Sequence, residues 1–235
     1  TLAKEKAVGV DLEADSMYHF KEKVCLIQMA TQRINVVIDP LMIEDLSPLK
    51  SVFKSQGIRK IFHGADYDVR SLYRDFDIMI NNLFDTELAS RFLGYSETSL
   101  EAVLKNKFDV ILDKKFQRKD WSRRPLPPGM IAYAAEDVRY LLPLAESLKA
   151  ELDEKNRLGW VYEECEHLSK VRPTSVNDQP LYLNFKGAGK LDSRSLAVLE
   201  ALLGFRREIA RRKDKPLFKI FGNRSLFDLA AKKPL

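Results

Sequence analysis

The sequence has 235 residues, of which 45% are hydrophobic and 31% charged, and its formal net charge is +5. This length suits one medium α/β domain with a smaller unit, and the composition excludes collagen-like, low-complexity and intrinsically disordered chains. No run approaches the ~18 consecutive apolar residues of a membrane span, and the first residues lack the apolar centre of a secretory signal. We therefore expect a cytoplasmic protein without a membrane partner. Two cysteines and three histidines are too few for a disulfide framework or a standard zinc cluster.

Basic residues are concentrated at the C-terminal end of the chain. Residues 186–235 contain 13 Lys and Arg against 5 Asp and Glu. Such a concentration is typical of a solvated helix face and also of a surface that contacts phosphate groups. The charge count leaves both interpretations open.

The N-terminal part of the chain predicts a meander of three antiparallel strands, because β-branched and aliphatic runs are separated by short polar stretches. Asp39-Pro40 ends the meander, and helical and strand patterns then alternate as far as Gly94. The predicted strands are 8–12, 24–30, 34–38, 58–63 and 83–84, and the predicted helices run from about 45 to 57, over 67–76 and over 86–93.

Beyond this point the pattern predicts helices and loops. A helix over 99–108 is followed by a Pro-rich basic loop over 114–128, and one long helix then runs from about Met130 to Leu148. Three antiparallel strands followed by strand–helix alternation predict an α/β fold of the ribonuclease H-like kind, with a mixed sheet flanked by helices. The predicted domains are 1–171, a polar linker over 172–190, and a helical segment over 191–235 with helices over 193–213 and 225–231.

Acidic residues occur at three places where the predicted elements bring them to one side. Asp11 and Glu13 end the first strand, and the two-residue period puts both on one face. Asp68 lies near the start of a helix, and Tyr133 and Asp137 share a helical face through their i,i+4 spacing. Each feature alone has an ordinary explanation as a solvent-facing strand edge, a helix-start charge or a surface pair.

Together the four carboxylates form the donor set that hard divalent cations need. Mg²⁺ and Mn²⁺ prefer oxygen ligands, and two such ions ~3.5–4 Å apart can activate a water and stabilise the leaving oxygen of a phosphodiester. Clustered carboxylates repel one another and take up protons when no cation is bound. The pattern therefore favours a site for two divalent cations.

The three motifs resemble, in order and spacing, the exonuclease motifs of the DEDD superfamily, tyrosine subclass, and most closely the ribonuclease D family. The histidine subclass carries its base at the position that is Ala132 here. The likeness covers about residues 8–148. The motifs as they stand are Asp11-Leu12-Glu13, His63-Gly64-Ala65-Asp66-Tyr67-Asp68 and Tyr133-Ala134-Ala135-Glu136-Asp137, and similar flanking stretches are 23–28, 84–86, 120–126 and 140–143.

The resemblance implies a role for each motif residue. Tyr133 would orient the attacking water, since a phenol with a reference pKa of ~10 is a poor base at neutral pH. Asp66 and Asp85 are not carried over as ligands. The residues that the resemblance implies as holders of two Mg²⁺ or Mn²⁺ ions are Asp11, Glu13, Asp68 and Asp137.

The C-terminal segment resembles the start of an HRDC module, a helical unit that binds nucleic acid or mediates interactions. The likeness rests on stretches such as Phe205-Arg206-Arg207-Glu208 and Asp214-Lys215-Pro216. The basic charge suits contacts to phosphates that add affinity without sequence preference. The segment stops short of a whole module and the chain begins at Thr1, so we expect a fragment of a longer protein.

Further substrate contacts are expected beside the motifs. The basic loop over 114–124 contains a tryptophan that can stack on a base. Packing of Trp121 on the core edge, anchoring of the loop by Arg124 and burial of His63 with hydrogen bonds are the alternatives. The candidate substrate-binding residues are Leu12, His63, Lys115, Trp121, Arg123 and Arg124.

The resemblance implies a metal-dependent 3′-to-5′ exoribonuclease that releases nucleoside monophosphates from single-stranded RNA 3′ ends. Transfer RNA precursors are the expected substrate, and no organic cofactor is expected. One alternative is a DNA exonuclease of the Werner type, because no residue identified here contacts the 2′-hydroxyl that distinguishes RNA. The other is an inactive nucleic-acid-binding scaffold.

Overall fold

The computed structural model describes residues 2–173 and 179–233. The strands in these residues are β1 (Ala7–Ala14), β2 (Val24–Ala30), β3 (Asn35–Ile38), β4 (Arg59–Phe62) and β5 (Leu83–Asp85). The α-helices are α1 (Ser47–Lys54), α2 (Asp66–Phe76), α3 (Thr86–Leu93), α4 (Leu100–Phe108), α5 (Pro128–Asp137), α6 (Leu141–Glu154), α7 (Leu158–Ser169), α8 (Ser193–Lys213) and α9 (Asn223–Lys232). Short 3₁₀ helices span Leu2–Lys4, Leu181–Asn184, Ala188–Lys190 and Leu217–Lys219.

The five strands form one mixed sheet in the order β3-β2-β1-β4-β5. β1 and β3 each pair antiparallel with β2, whereas β4 pairs parallel with both β1 and β5. This arrangement confirms the predicted ribonuclease H-like α/β fold. Because β1 and β4 are parallel, their C-terminal ends meet at the same edge of the sheet, which brings the first two acidic motifs together.

Helices cover both faces of the sheet. All seven residues of β2 are buried, which explains why its sequence is a nearly continuous apolar run rather than an alternating one. The main core joins residues of β1 and β4 to α2 and α6, and it includes Val10, Phe62, Leu72 and Leu144, each at most 1% exposed. The main core thus packs on β1, which is also the strand that carries Asp11 and Glu13.

The single long helix predicted over 130–148 is wrong, since the structure divides it into α5 and α6. A continuous helix would require the residue at 143 to donate its backbone N–H to the carbonyl of Arg139, and Pro143 has no N–H and would clash there. In the observed arrangement Pro143 lies in the first turn of α6, where a missing donor costs little. As a result, Asp137 is the last residue of α5 rather than a mid-helix residue.

The described residues divide into two compact units, one from 1–14 with 24–173 and one from 15–23 with 174–235. In the second unit α8 and α9 pack around an apolar core that includes Leu199, Leu203 and Leu226. Of the predicted linker 172–190, residues 174–178 lie outside the described residues, and Phe185 and Ala188 belong to this core. No helix among the described residues has the length and apolarity to cross a bilayer.

Candidate active site

β1 supplies the first two acids. Asp11 and Glu13 lie opposite Gln28 and Leu26 of β2, and both are half-buried. Leu12 alternates to the other face and is 8% exposed. The strand thus presents two carboxylates on one face, at the sheet edge where the C-terminal ends of β1 and β4 meet.

The turn from β4 into α2 supplies the third acid. Gly64 in this turn has φ 76°, a left-handed conformation that glycine adopts without a Cβ clash. Asp68 follows in the first turn of α2 and is 7% exposed. Asp66 instead forms an ion pair with Arg70 at 2.7 Å on the outer side of the same helix. The structure therefore separates the two acids of this motif.

α5 supplies the fourth acid together with the tyrosine. The hydroxyl of Tyr133 donates a hydrogen bond to the carboxylate of Asp137 one turn later. The Tyr133 ring packs edge-on against Phe116 with centroids 5.8 Å apart, and it contacts Trp121 at 6.1 Å. The Asn35 side chain donates to the Ala135 carbonyl at 3.0 Å, which ties α5 to the sheet.

A close approach at Gly9 brings the junction of α5 and α6 onto β1. A Cβ added at Gly9 would lie 3.1 Å from the Cβ of Leu141 and 3.2 Å from the carbonyl oxygen of Val138. A side chain here would push the junction outward, and with it Asp137. Glycine at position 9 therefore sets the distance between the acids of β1 and the acid of α5.

The acids raise one another's pKa. Burial, followed by the charges of Asp11, Asp137 and Asp68, raises the pKa of Glu13 to about 10. Burial and the charge of Asp11 raise the pKa of Asp137 to about 7 and hold that of Asp68 well above its usual range. Burial also raises the pKa of Asp11 to about 6. All four carboxyls thus lie close enough to interact, and protonation or a cation must offset their repulsion.

The donor set fits hard divalent cations. As placed, no three His, Cys, Asp or Glu side chains in the described residues are arranged to ligate a single ion. The four acids nevertheless share one edge of the sheet and offer only oxygen donors, which are the ligands that Mg²⁺ and Mn²⁺ prefer. The mutual pKa shifts of Asp11, Glu13, Asp68 and Asp137 show that the four carboxyls act on one another at this edge.

Tyr133 remains protonated in this environment. Burial and then the charges of Asp137 and Glu13 raise the pKa of the phenol above its ordinary value. A phenol that holds its proton can donate a hydrogen bond but cannot act as a base. In this environment the phenol of Tyr133 donates its hydrogen bond to Asp137.

A cleft of about 320 Å³ opens over the acids. Asp11, Glu13 and Asp137 lie on its wall with Tyr133, and its volume is at the small end of ligand sites. An ion pair of Lys114 with Glu101 lies at its rim. Further wall residues that the sequence did not indicate are Ser99, Leu100, Leu112, Asp113, Gln117 and Leu141.

Two of the predicted substrate contacts line this cleft and two lie on the exposed loop. Leu12 and His63 are wall residues. His63 is held on both sides, because its Nε2 donates to the Thr98 carbonyl at 2.9 Å and its Nδ1 lies 2.9 Å from the Thr86 hydroxyl. Two further candidates, Lys115 and Arg123, have exposed side chains outside the cleft.

Trp121 and Arg124 hold the basic loop against the rest of the domain. Trp121 is 1% exposed, which contradicts the predicted stacking of its ring on a substrate base. Arg124 donates to both carboxylate oxygens of Asp39 at 2.6 and 2.7 Å and to the Cys25 carbonyl at 3.0 Å. Trp121 therefore packs in the core and Arg124 anchors the loop, which are the alternatives that the sequence left open.

Comparison with known proteins decides the family. Residues 1–153 match the family model described as 3′-5′ exonuclease, and residues 195–235 match the HRDC domain. The chain belongs to the 3′-5′ exonuclease family. Within it the chain is of the ribonuclease D-like DEDD type with the start of an HRDC domain, which confirms the resemblance found in the motifs.

Relatives of this exonuclease are found among curated proteins and solved structures. It is 36% identical over 239 residues to the exosome complex component 10 homolog of Caenorhabditis elegans, which covers 100% of this chain and 27% of the relative. The catalytic core of RRP6 from Trypanosoma brucei is 33% identical with a TM-score of 0.86, over 99% of this chain and 66% of that one. Escherichia coli RNase D, an exoribonuclease involved in structured RNA processing, is 28% identical with a TM-score of 0.81, over 99% of this chain and 62% of that one.

The chain spans 27–38% of the length of the first curated relatives it matches. The comparisons therefore concern the exonuclease domain and the HRDC segment rather than a whole relative.

Proposed function

We propose that this chain is a divalent-cation-dependent 3′-to-5′ exoribonuclease that releases nucleoside monophosphates from RNA 3′ ends. One observation carries the proposal: Asp11, Glu13 and Asp137 line a cleft of an exonuclease domain beside Tyr133. The charge of Asp68, in the first turn of α2, acts on Glu13. Structural ion-pair clusters mix charges of both signs, whereas the raised pKa values of these four acids arise from burial and from negative charges, mainly those of one another, with Asp85 and Glu136 as further contributors. A site of this kind favours phosphodiester hydrolysis.

The residues of the chain have distinct tasks in this proposal. The four acids would hold two Mg²⁺ or Mn²⁺ ions, and such ions, when bound, activate a water and stabilise charge on the leaving oxygen. Tyr133 keeps the proton on its hydroxyl and uses it to orient groups beside Asp137. Leu12 and His63 shape the wall against which the terminal nucleotide lies.

RNA is the proposed substrate class because the relatives with matching folds include an exoribonuclease of structured RNA. The similarity to an exosome component and to RRP6 does not single out transfer RNA as the substrate. Maturation of transfer RNA and a cytoplasmic location stay predictions.

Matched single-stranded RNA and DNA oligomers of one sequence, labelled at the 5′ end, test the substrate class. We expect the RNA to shorten from its 3′ end in Mg²⁺ or Mn²⁺, the DNA to shorten more slowly, and both to stay intact in chelator. Faster digestion of DNA would overturn the RNA assignment. Binding without shortening of either oligomer under all cation conditions would identify a scaffold instead.

A further inference from the structure

Asp85 is a buried carboxylate between two elements of the site. It ends β5, is 2% exposed, and precedes α3 as its N-cap residue. Its Oδ1 accepts hydrogen bonds from the backbone N–H groups of Glu87 at 2.8 Å and Leu88 at 3.3 Å. These two bonds are those of an ordinary helix cap.

Two further hydrogen bonds reach a different part of the chain. The N–H of Gly64 donates to Oδ1 of Asp85 at 2.9 Å, and the N–H of Ala65 donates to Oδ2 at 2.8 Å. Both donors lie in the turn that leads from β4 into α2. One carboxylate thus joins the start of α3 to the start of α2.

The α2 helix lacks a cap of its own. Its N-cap residue is Ala65, whose side chain has no acceptor, and the residue before it is Gly64 in the left-handed conformation. Glycine leaves the backbone conformationally free, so an outside acceptor is needed to fix this turn. Asp85 supplies it, and Asp68 projects from the first turn of the helix so fixed.

Thr86 strengthens the same connection. Its hydroxyl donates to the Phe62 carbonyl at the end of β4 at 2.9 Å and lies 2.9 Å from Nδ1 of His63. The adjacent side chains of Asp85 and Thr86 therefore contact four successive residues, Phe62 to Ala65. The arrangement exceeds what capping of α3 requires.

We propose that Asp85 is a positioning residue that fixes the β4–α2 turn and thereby the approach of Asp68 to the cleft. The proposal rests on the function proposed above. Asp85 is not among the residues that line the cleft. Its charge contributes to the raised pKa of Asp68, and its hydrogen bonds to Gly64 and Ala65 fix the turn from which Asp68 follows. It acts through the turn.

Two substitutions separate positioning from capping. In Asp85→Asn, the amide oxygen at the Oδ1 position keeps the bonds to Gly64, Glu87 and Leu88. The amide NH₂ then faces the N–H of Ala65, so only that hydrogen bond is lost. Asp85→Ala removes all four bonds and serves as the disruptive comparison.

Kinetics and cation binding provide the decisive readouts. We expect Asp85→Asn to have a melting temperature close to that of the parent and an unchanged KM for a short RNA oligomer. Its kcat should be lower by about 10²-fold, because the reacting groups are displaced from their productive geometry. The Mn²⁺ concentration for half-maximal activity should rise. Asp192→Asn is the matched control, because Asp192 caps α8 through the Ser195 N–H at 2.7 Å in the other unit, and it should keep the parental kcat.

A readout without activity makes the two proposals distinguishable. Amide hydrogen exchange by nuclear magnetic resonance should be faster at Gly64 and Ala65 in Asp85→Asn, with Glu87 unchanged, and calorimetric Mn²⁺ binding should weaken. These results would support positioning even if the parent digests no nucleic acid, in which case the proposed function alone fails. Parental kcat and Mn²⁺ affinity in Asp85→Asn, or a loss of kcat that follows a general loss of melting temperature, would overturn the positioning role.

Discussion

Tyr133 and Asp137 lie one helical turn apart on α5, and the hydrogen bond between them limits what the phenol can do. Tyr133→Phe keeps the ring contacts with Phe116 and Trp121 and removes only the hydroxyl. We expect the single-turnover rate at saturating cation to fall by about 10²-fold with RNA affinity nearly unchanged, because one oriented hydrogen bond is lost. A rate within about threefold of the parent, well short of the ~1.4 kcal/mol of a tenfold loss, would assign Tyr133 to packing alone.

The carboxyl pKa values also predict how stability depends on pH in chelator. Burial raises the pKa of Asp11 to about 6, Asp137 to about 7 and Glu13 to about 10, whereas these groups titrate near ~4 in an unfolded chain. The folded chain then holds protons that the unfolded chain has released. The free energy of unfolding should therefore fall as pH rises from ~4 through 7 and beyond.

Urea titrations in chelator at pH 5, 7 and 8 measure this slope. Asp137→Asn, which removes one of the titrating acids, should flatten the fall between pH 5 and 7, and saturating Mg²⁺ or Mn²⁺ should reduce it. A free energy of unfolding that rises with pH over this range in the parent would contradict the mutual repulsion of the acids.

The sequence predicted which candidate residues share a face better than it predicted the contacts around them. Spacing alone placed Asp11 with Glu13 and Tyr133 with Asp137 on common faces, because strand and helix periods are fixed by the backbone. Asp85 was not predicted as part of the site, since its hydrogen bonds to Gly64 and Ala65 join segments about twenty residues apart. The sequence named both packing and stacking for Trp121, because an aromatic in a basic loop has the same pattern in either case, and only the structure decides for packing.

Among the secondary-structure elements, the close contact of Gly9 with the α5–α6 junction is expected to set the distance between Asp137 and the acids of β1. Gly9→Ala places a Cβ 3.1 Å from the Leu141 Cβ and 3.2 Å from the Val138 carbonyl, and neither atom can move without its backbone. We expect a loss of about 1–3 kcal/mol in the free energy of unfolding, as overpacked cores show, and a larger fractional loss of kcat because Asp137 moves from Asp11. Urea titration and single-turnover kinetics measure the two effects.

Gly159→Ala is the control for this prediction. Gly159 lies in α7 and a Cβ there meets no atom within 4 Å, so alanine should keep the activity and leave the stability equal or slightly higher. Parental activity in Gly9→Ala would show that the junction does not set the position of Asp137.

The strands and most helices follow from local sequence, and the exceptions have local causes. The continuous apolar run of β2 predicted a buried strand, and the alternation of helices and strands predicted the mixed sheet. The division of the helix after Asp137 was missed, because the apolar spacing continues across the break while Pro143 is compatible with either a kink or a new first turn. The contact with Gly9 could not be inferred from spacing, since it joins β1 to residues far along the chain.

At the scale of the whole molecule, the basic end of α8 predicts a contribution to binding of long RNA. Arg211, Arg212 and Lys213 are exposed at the end of this helix. Their replacement by Gln should weaken binding of a long single-stranded RNA and reduce the slope of log K against log salt by up to ~2, at ~0.7 for each phosphate that is no longer neutralised. Filter binding at low and high salt concentration tests this expectation.

Hydrolysis of a short oligomer serves as the internal control in the same variant. It should change little, because the acids of the first unit are untouched. An unchanged salt slope would show that this end of α8 is a solvated helix face, which is the other interpretation of the charge.

The most direct test of the central claim is single-turnover digestion of 5′-end-labelled RNA by the parent, Asp11→Asn, Asp137→Asn and Asp66→Ala, with chelator and with Mg²⁺ or Mn²⁺ restored. We predict stepwise shortening from the 3′ end by the parent and by Asp66→Ala only when the cation is restored, and almost none by the other two variants although they stay folded. Shortening in chelator, or parental rates in Asp11→Asn and Asp137→Asn, would contradict a cation site formed by these acids.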